Sequence, residues 1–273
     1  MILARPRVAI AALAVAASAT AVAAVPHAAA LTPAPHSHTV VGLHHRIQPD
    51  TSRSGRTSGA QSDYNWAGYV KTGSGYTSST ATWTVPTLST KYDGYSSSWV
   101  GIDGFNDSYL IQTGTEADVV NGQTSYDAWW EVITPSDEAP EVLFSSLSIN
   151  PGDSITASVA KGSSGKWTMK LTDNTSGQSA SHSSKFSGPG DSAEWIQEDT
   201  DVNGYISAAP DWHSVTFSGI TVNGASPQLN SSESLDIVDT NGTQETSTGN
   251  PNSSGNGFTV TWLATGTPTS DGS

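Results

Sequence analysis

The chain has no cysteine. That excludes thiol nucleophiles, cysteine-bound metals and disulfide staples, so the fold rests on its core alone. Arginine is absent from residue 61 onward, where six lysines face 24 acidic residues; the formal charge of the whole chain is −14. So acidic a body repels phosphate backbones, which removes nucleic acid as a partner. It also repels itself at neutral pH, and it suits an acidic medium, where carboxyls are neutral and few lysines are left to repel one another. Only His182 and His213 lie beyond residue 60. Both sit in serine-rich, strand-like stretches without a Gly-x-Ser-x-Gly elbow, so a Ser-His-Asp triad has no support. Phosphate-cradling glycine motifs are missing. Asp and Asn are plentiful enough to hold calcium, but no loop has EF-hand spacing, and paired histidines (His36, His38, His44, His45) occur only near the N-terminus. The reading calls on no cofactor and no metal.

Three regions follow along the chain. Arg5 and Arg7 precede an apolar run, Val8 to Ala24, and Ala28-Ala29-Ala30 offers small residues for cleavage. Residues 1–30 read as a secretory signal peptide, which implies a secreted, extracellular protein. No later apolar run is long enough to cross a bilayer, so no membrane partner is expected. Residues 31–60 are polar, rich in Pro, His, Ser and Gly, and carry Arg46, Arg53 and Arg56; they read as a propeptide or linker. Residues 61–273 form one domain, with 265–273 expected to fray. Its short runs, such as Ile155-Thr156-Ala157-Ser158-Val159 and Trp167-Thr168-Met169-Lys170-Leu171, alternate apolar and polar residues between Gly, Asn and Ser turns. Many strands and no helical period predict an all-β sandwich. A monomer is expected.

Four strands depart from the usual polar face of Thr, Ser and Lys. They are Trp99-Val100-Gly101-Ile102-Asp103, Leu110-Ile111-Gln112-Thr113-Gly114, Tyr126-Asp127-Ala128-Trp129-Trp130-Glu131 and Ala193-Glu194-Trp195-Ile196-Gln197-Glu198-Asp199. Alternate side chains of a strand share a face. Trp99 therefore goes with Asp103, Asp127 with Trp129 and Glu131, and Glu194 with Glu198. Neighbouring strands of this kind would gather carboxylates, an amide and tryptophans on one surface. Crowded carboxylates raise one another's pKa, and a glutamate so tuned serves as general base and acid at low pH. A glutamine amide can hold an oxyanion without titrating. Trp83, Trp167, Trp212 and Trp262 read as core residues. Asp103, inside Gly-Ile-Asp-Gly, fits a turn as well as a site, and Glu194 reads as a solvated or supporting acid.

These motifs resemble the glutamic peptidases (eqolisins) in content, order and spacing, from Ser97-Ser98-Trp99-Val100-Gly101-Ile102-Asp103-Gly104 through Ala193 to Asp199. Asn65-Trp66-Ala67-Gly68 and Pro151-Gly152-Asp153-Ser154-Ile155 add to the likeness, which spans roughly residues 63–222. The resemblance implies a sandwich of two bent antiparallel sheets, a lectin-like jelly roll, with a cleft on the concave face. It further implies an acid endopeptidase acting on protein or peptide substrates. Gln112 and Glu198 match the catalytic pair, and Trp66, Trp99, Asp103, Asp127 and Glu131 match the supporting set. Asp201 stands where the family often has a glutamate, and the cysteines of fungal members are missing. A carbohydrate-binding module or glycosidase on a similar sandwich is the competing reading, since tryptophans stack on sugars and two carboxylates hydrolyse glycosides; a secreted adhesion domain is the third.

Overall fold

The fold is described from a computed structural model of the chain, covering residues 61–270 and the backbone of Leu43–His44. The expected signal peptide, the rest of the expected leader and residues 271–273 lie outside the described residues. In chain order the strands begin with β1 (Leu43–His44), β2 (Gln61–Asp63), β3 (Trp66–Thr72), β4 (Ser78–Thr84), β5 (Ser96–Ile102) and β6 (Leu110–Val120). Next come β7 (Gln123–Ile133), β8 (Val142–Leu143), β9 (Ser154–Lys161), β10 (Trp167–Asp173), β11 (Ser179–Ser184) and β12 (Ser192–Asp199). The last are β13 (Asp201–Val202), β14 (Tyr205–Ile206), β15 (Ser214–Val222), β16 (Ser234–Ile237), β17 (Thr246–Thr248), β18 (Phe258–Trp262) and β19 (Thr269–Ser270).

They form an all-β sandwich. A seven-stranded sheet runs β11-β10-β9-β4-β15-β18-β17, and an eight-stranded sheet runs β2-β16-β3-β12-β5-β6-β7-β8. Pairing is antiparallel except between β2 and β16, which run parallel. A small third sheet, β1-β13-β14-β19, adds to the two expected. The tail expected to fray is paired at Thr269–Ser270 with β14.

The alternation that predicts these strands also builds the core. On β9 Ile155, Ala157 and Val159 point inward, and on β10 Trp167, Met169 and Leu171 do, while Lys170 faces water. From the larger sheet Ala67, Tyr69, Val100, Ile102, Ile111, Ala193 and Trp195 meet them. Trp83 lies against Phe217 with ring centroids 5.6 Å apart, and Trp167 and Trp212 are in the same cluster. Each buried indole removes ~150–250 Å² from water, a transfer gain of roughly 4–6 kcal/mol before ordering entropy is subtracted. Strand β12 is buried on both faces along its whole length. Its second face, turned from the core, carries Glu194, Ile196 and Glu198.

Candidate active site

Register fixes which side chains share that second face. Across β3, β12, β5, β6 and β7, one row reads Val70, Glu194, Gly101, Gln112, Glu131. The next reads Gly68, Ile196, Trp99, Gly114, Trp129, and the third Trp66, Glu198, Ser97, Glu116, Asp127. Positions separated by an even number of residues point the same way, so Gln112 and Glu198 lie on one face of one sheet, with Trp99 in the row between them. Trp66, Trp99, Trp129, Val70, Leu110, Ile133, Ile196 and Leu235 make a separate apolar cluster there.

Glu198 is wholly buried and held by three N–H donors. Asn65 Nδ2 and Trp66 Nε1 donate to its Oε1 at 2.9 and 3.2 Å, and Trp99 Nε1 donates to its Oε2 at 2.6 Å. The two indoles meet edge to face, centroids 4.8 Å apart at 77°, which fixes both donors. Gly114 makes room for this: a Cβ there would lie 2.5 Å from Trp99 Cβ. Burial drives the Glu198 carboxyl well above the ordinary glutamate range; the Trp99 N–H opposes this, the Glu131 charge adds to it, the Trp66 N–H lowers it and Asp201 raises it.

Gln112 donates from Nε2 to Glu131 Oε2 at 2.7 Å. That bond fixes the orientation of the amide, which is fully buried. Asp127 lies opposite Glu116, in the row of Glu198. Asp103 is not brought to this group. Its backbone turns at φ 67°, and its carboxylate accepts from Gly190 N at 3.0 Å and Asp191 N at 2.7 Å. Glu194, read from sequence as a solvated or supporting acid, is fully buried.

Sequence reasoning did not single out Asn65, Glu116 or Asp118 for this face. Glu116 is pushed well up, first by burial and then by Asp118, Glu141 and Glu198; Asp118 is raised to about 7, chiefly by burial. The alternation Gln112, Gly114, Glu116, Asp118 carries the signal for both. His182 stacks on Trp130 at 3.8 Å and the exposed His213 pairs with Asp211 at 3.0 Å, neither on the strand that holds Glu198.

A carboxyl held by indole donors and, on the same sheet face, an amide oriented by a second carboxyl are the parts that acid–base hydrolysis needs. Residues 64–262 match the Peptidase A4 family. The chain belongs to that family, the glutamic peptidases, and is a glutamic-type peptidase. It is 32% identical to Aspergillopepsin-2 of Aspergillus niger over 233 residues, 76% of this chain and 80% of that one. It is similar in structure to scytalido-glutamic peptidase crystallised with a transition state analog inhibitor, with TM-score 0.59, 25% identity and coverage of 73% of this chain and 98% of that one. The aspergilloglutamic peptidase of Aspergillus niger superposes with TM-score 0.51 at 35% identity, covering 62% of this chain and 99% of that one. Its substrates are accordingly proteins or peptides, and the carbohydrate and adhesion readings fall away.

Proposed function

We propose that this chain is a secreted acid endopeptidase working through Glu198 and Gln112. The observation that carries the reading is the set of three N–H donors on the Glu198 carboxyl, on the same sheet face as an amide oriented by Glu131. Donors aimed at both oxygens favour the carboxylate, whereas burial favours the neutral acid. As carboxylate, Glu198 takes a proton from a water whose oxygen attacks the scissile carbonyl carbon. The Gln112 side-chain amide, as hydrogen-bond donor, stabilises the oxyanion. Glu198, now protonated, returns that proton to the amide nitrogen as the C–N bond breaks, leaving a free carboxyl and a free amine. Asn65, Trp66 and Trp99 position the carboxyl; Glu131 positions the amide.

Residues 31–60 act in this reading as an inhibitory leader. Leu43–His44 pairs antiparallel with Asp201–Val202, immediately beyond the strand that bears Glu198, and the leader's Arg46, Arg53 and Arg56 complement an acidic cleft. Export is supported by the N-terminal charge and apolar pattern; among the described residues no helix is long and apolar enough to cross a membrane. The test is digestion of a denatured protein at pH 2–5 with pepstatin present. Cleavage by the trimmed chain, lost in Glu198→Gln, is expected; equal activity of the full-length and trimmed chains at pH 4 would remove the leader from the scheme.

A further inference from the structure

Immediately after Glu198 and Asp199 the chain enters a short hairpin. β13 pairs with β14 through Asp201 and Ile206. Between them Asn203 and Gly204 both take positive φ, 56° and 84°, the geometry of a two-residue type I′ connection, and Gly204 N donates to Asp201 Oδ1 at 2.8 Å. β14 is backed in turn by β19, and Ser207 N donates to Thr200 O at 3.0 Å. At the root of the hairpin Thr200 Oγ1 donates to the Glu116 carboxyl at 3.2 Å, and Glu116 lies in the row of Glu198. The hairpin is thus braced and rooted in the catalytic face.

One edge of β13 faces β14, and among the described residues the other is paired with the leader strand β1 alone. That pairing is antiparallel, with Leu43 opposite Val202 and His44 opposite Asp201. A strand edge offers a row of N–H and C=O groups that takes another chain through its main chain, whatever its side chains. The contacts that shape the hairpin come from outside the leader, so the edge keeps its form once the leader is cut away. Direction follows from the register. β13 leads away from Glu198, so a chain lying antiparallel on it runs toward Glu198. Asp201 is three residues past Glu198, which is about 10 Å of extended chain.

We propose that the outer edge of β13 is a docking edge for substrate backbone, filled by β1 before the leader is removed and by the incoming chain afterwards. The inference rests on the reading of Glu198 as catalytic and of the leader as removable. The occupant is an extended polypeptide, held by main-chain hydrogen bonds through residues about three to five positions on the N-terminal side of the bond to be cleaved. Because the hairpin is already ordered, the enzyme loses little freedom when the chain docks. A folded loop, whose N–H and C=O groups are turned to partners of its own, does not fit such an edge. The substrates are thereby narrowed to unfolded proteins and long peptides.

The test is a backbone scan with the trimmed enzyme. A peptide cleaved at one bond and reaching about six residues to its N-terminal side is N-methylated on each of those residues in turn, and is also shortened from that end. Alternate residues of an antiparallel strand turn their N–H groups to opposite edges. The value of kcat/KM should therefore fall about 3–10-fold at the third and fifth residues or at the fourth alone, with the intervening positions tolerated. Shortening the peptide to two residues on that side should lower it by about 10–100-fold. A flat scan, losses without alternation, or full activity on the shortened peptide would each overturn the proposal. Cleavage that survives Glu198→Gln removes the reading on which the edge depends, whereas a flat scan in an enzyme that requires Glu198 overturns the edge alone.

Discussion

Raising the pH from 4 to 8 should weaken the fold through a buried acid pair. Asp199, on β12, and Glu245, just before β17, hydrogen-bond to one another through their carboxyls, and both are almost wholly buried. Burial pushes Asp199 well up, and the Glu245 charge adds to that. Glu245 rises from the usual 4.5 to about 7, again chiefly by burial. Gly266 packs so closely that a Cβ there would overlap the Glu245 carboxyl. A carboxyl whose folded pKa exceeds its unfolded one binds more protons when folded, so its contribution is complete below about pH 4.5 and is lost as pH rises through about 7. For Glu245 alone the loss is about 3 kcal/mol, at 1.36 kcal/mol per unit. That is a large fraction of the 5–15 kcal/mol typical of a domain and corresponds to about 6–12 °C in the unfolding midpoint. The assay is thermal unfolding by tryptophan fluorescence from pH 3.5 to 8, in a Glu198→Gln background that prevents self-digestion. The Asp199→Asn, Glu245→Gln double variant keeps a donor and an acceptor but cannot titrate, so its midpoint should fall less steeply. A midpoint that is flat or rises between pH 4 and 7, or an unchanged slope in the double variant, would refute the reasoning.

Two further outcomes follow from the geometry around Glu198. Trp99→Phe keeps an aromatic ring beside Trp66 but removes the 2.6 Å donor to Oε2; loss of a charge-assisted hydrogen bond should lower kcat/KM by about 10–100-fold. Because that donor lowers the Glu198 pKa, the acid limb of the pH–rate profile should move to higher pH, and an unmoved limb would show that the indole N–H does not tune the carboxyl. Gly114→Ala would press on Trp99 and on the Ser98 carbonyl and should cost about 1–3 kcal/mol in urea unfolding together with activity; wild-type values for both would mean the sheet yields there.

Much of the site was legible because a strand alternates with period two. Trp99, Gln112, Glu131 and Glu198 declare a common face once their strands are assumed to be neighbours, and β12, β5, β6 and β7 are neighbours in that order. Asp103 kept the right alternation, but a left-handed turn at φ 67° carried its carboxylate to the backbone of Gly190 and Asp191. Strand periodicity cannot register a turn that begins just past the strand's last residue, Ile102. Glu194 looked like an ordinary polar position; its burial comes from two flanking strands and the indole beside Gly101, contacts over long sequence separations. The pairing of Asp199 with Glu245 joins segments from separate parts of the chain, so no local pattern announces it. Sheet order was equally hidden: β16 enters between β2 and β3, and its parallel pairing with β2 comes from the path of the chain between them, not from side-chain alternation.

The central claim is that one carboxyl and one amide act as a unit on a single water. Its most direct measurement is a double-mutant comparison of peptide hydrolysis in acid by the trimmed enzyme, with Gln112→Ala, Glu198→Gln and both together, each checked for native circular dichroism. Each single change should bring kcat down by at least about 100-fold, and the double variant should lose no more than the worse single one, as for groups that act together. Independent, multiplying losses, or a folded single variant that still cleaves at the wild-type rate, would contradict the account.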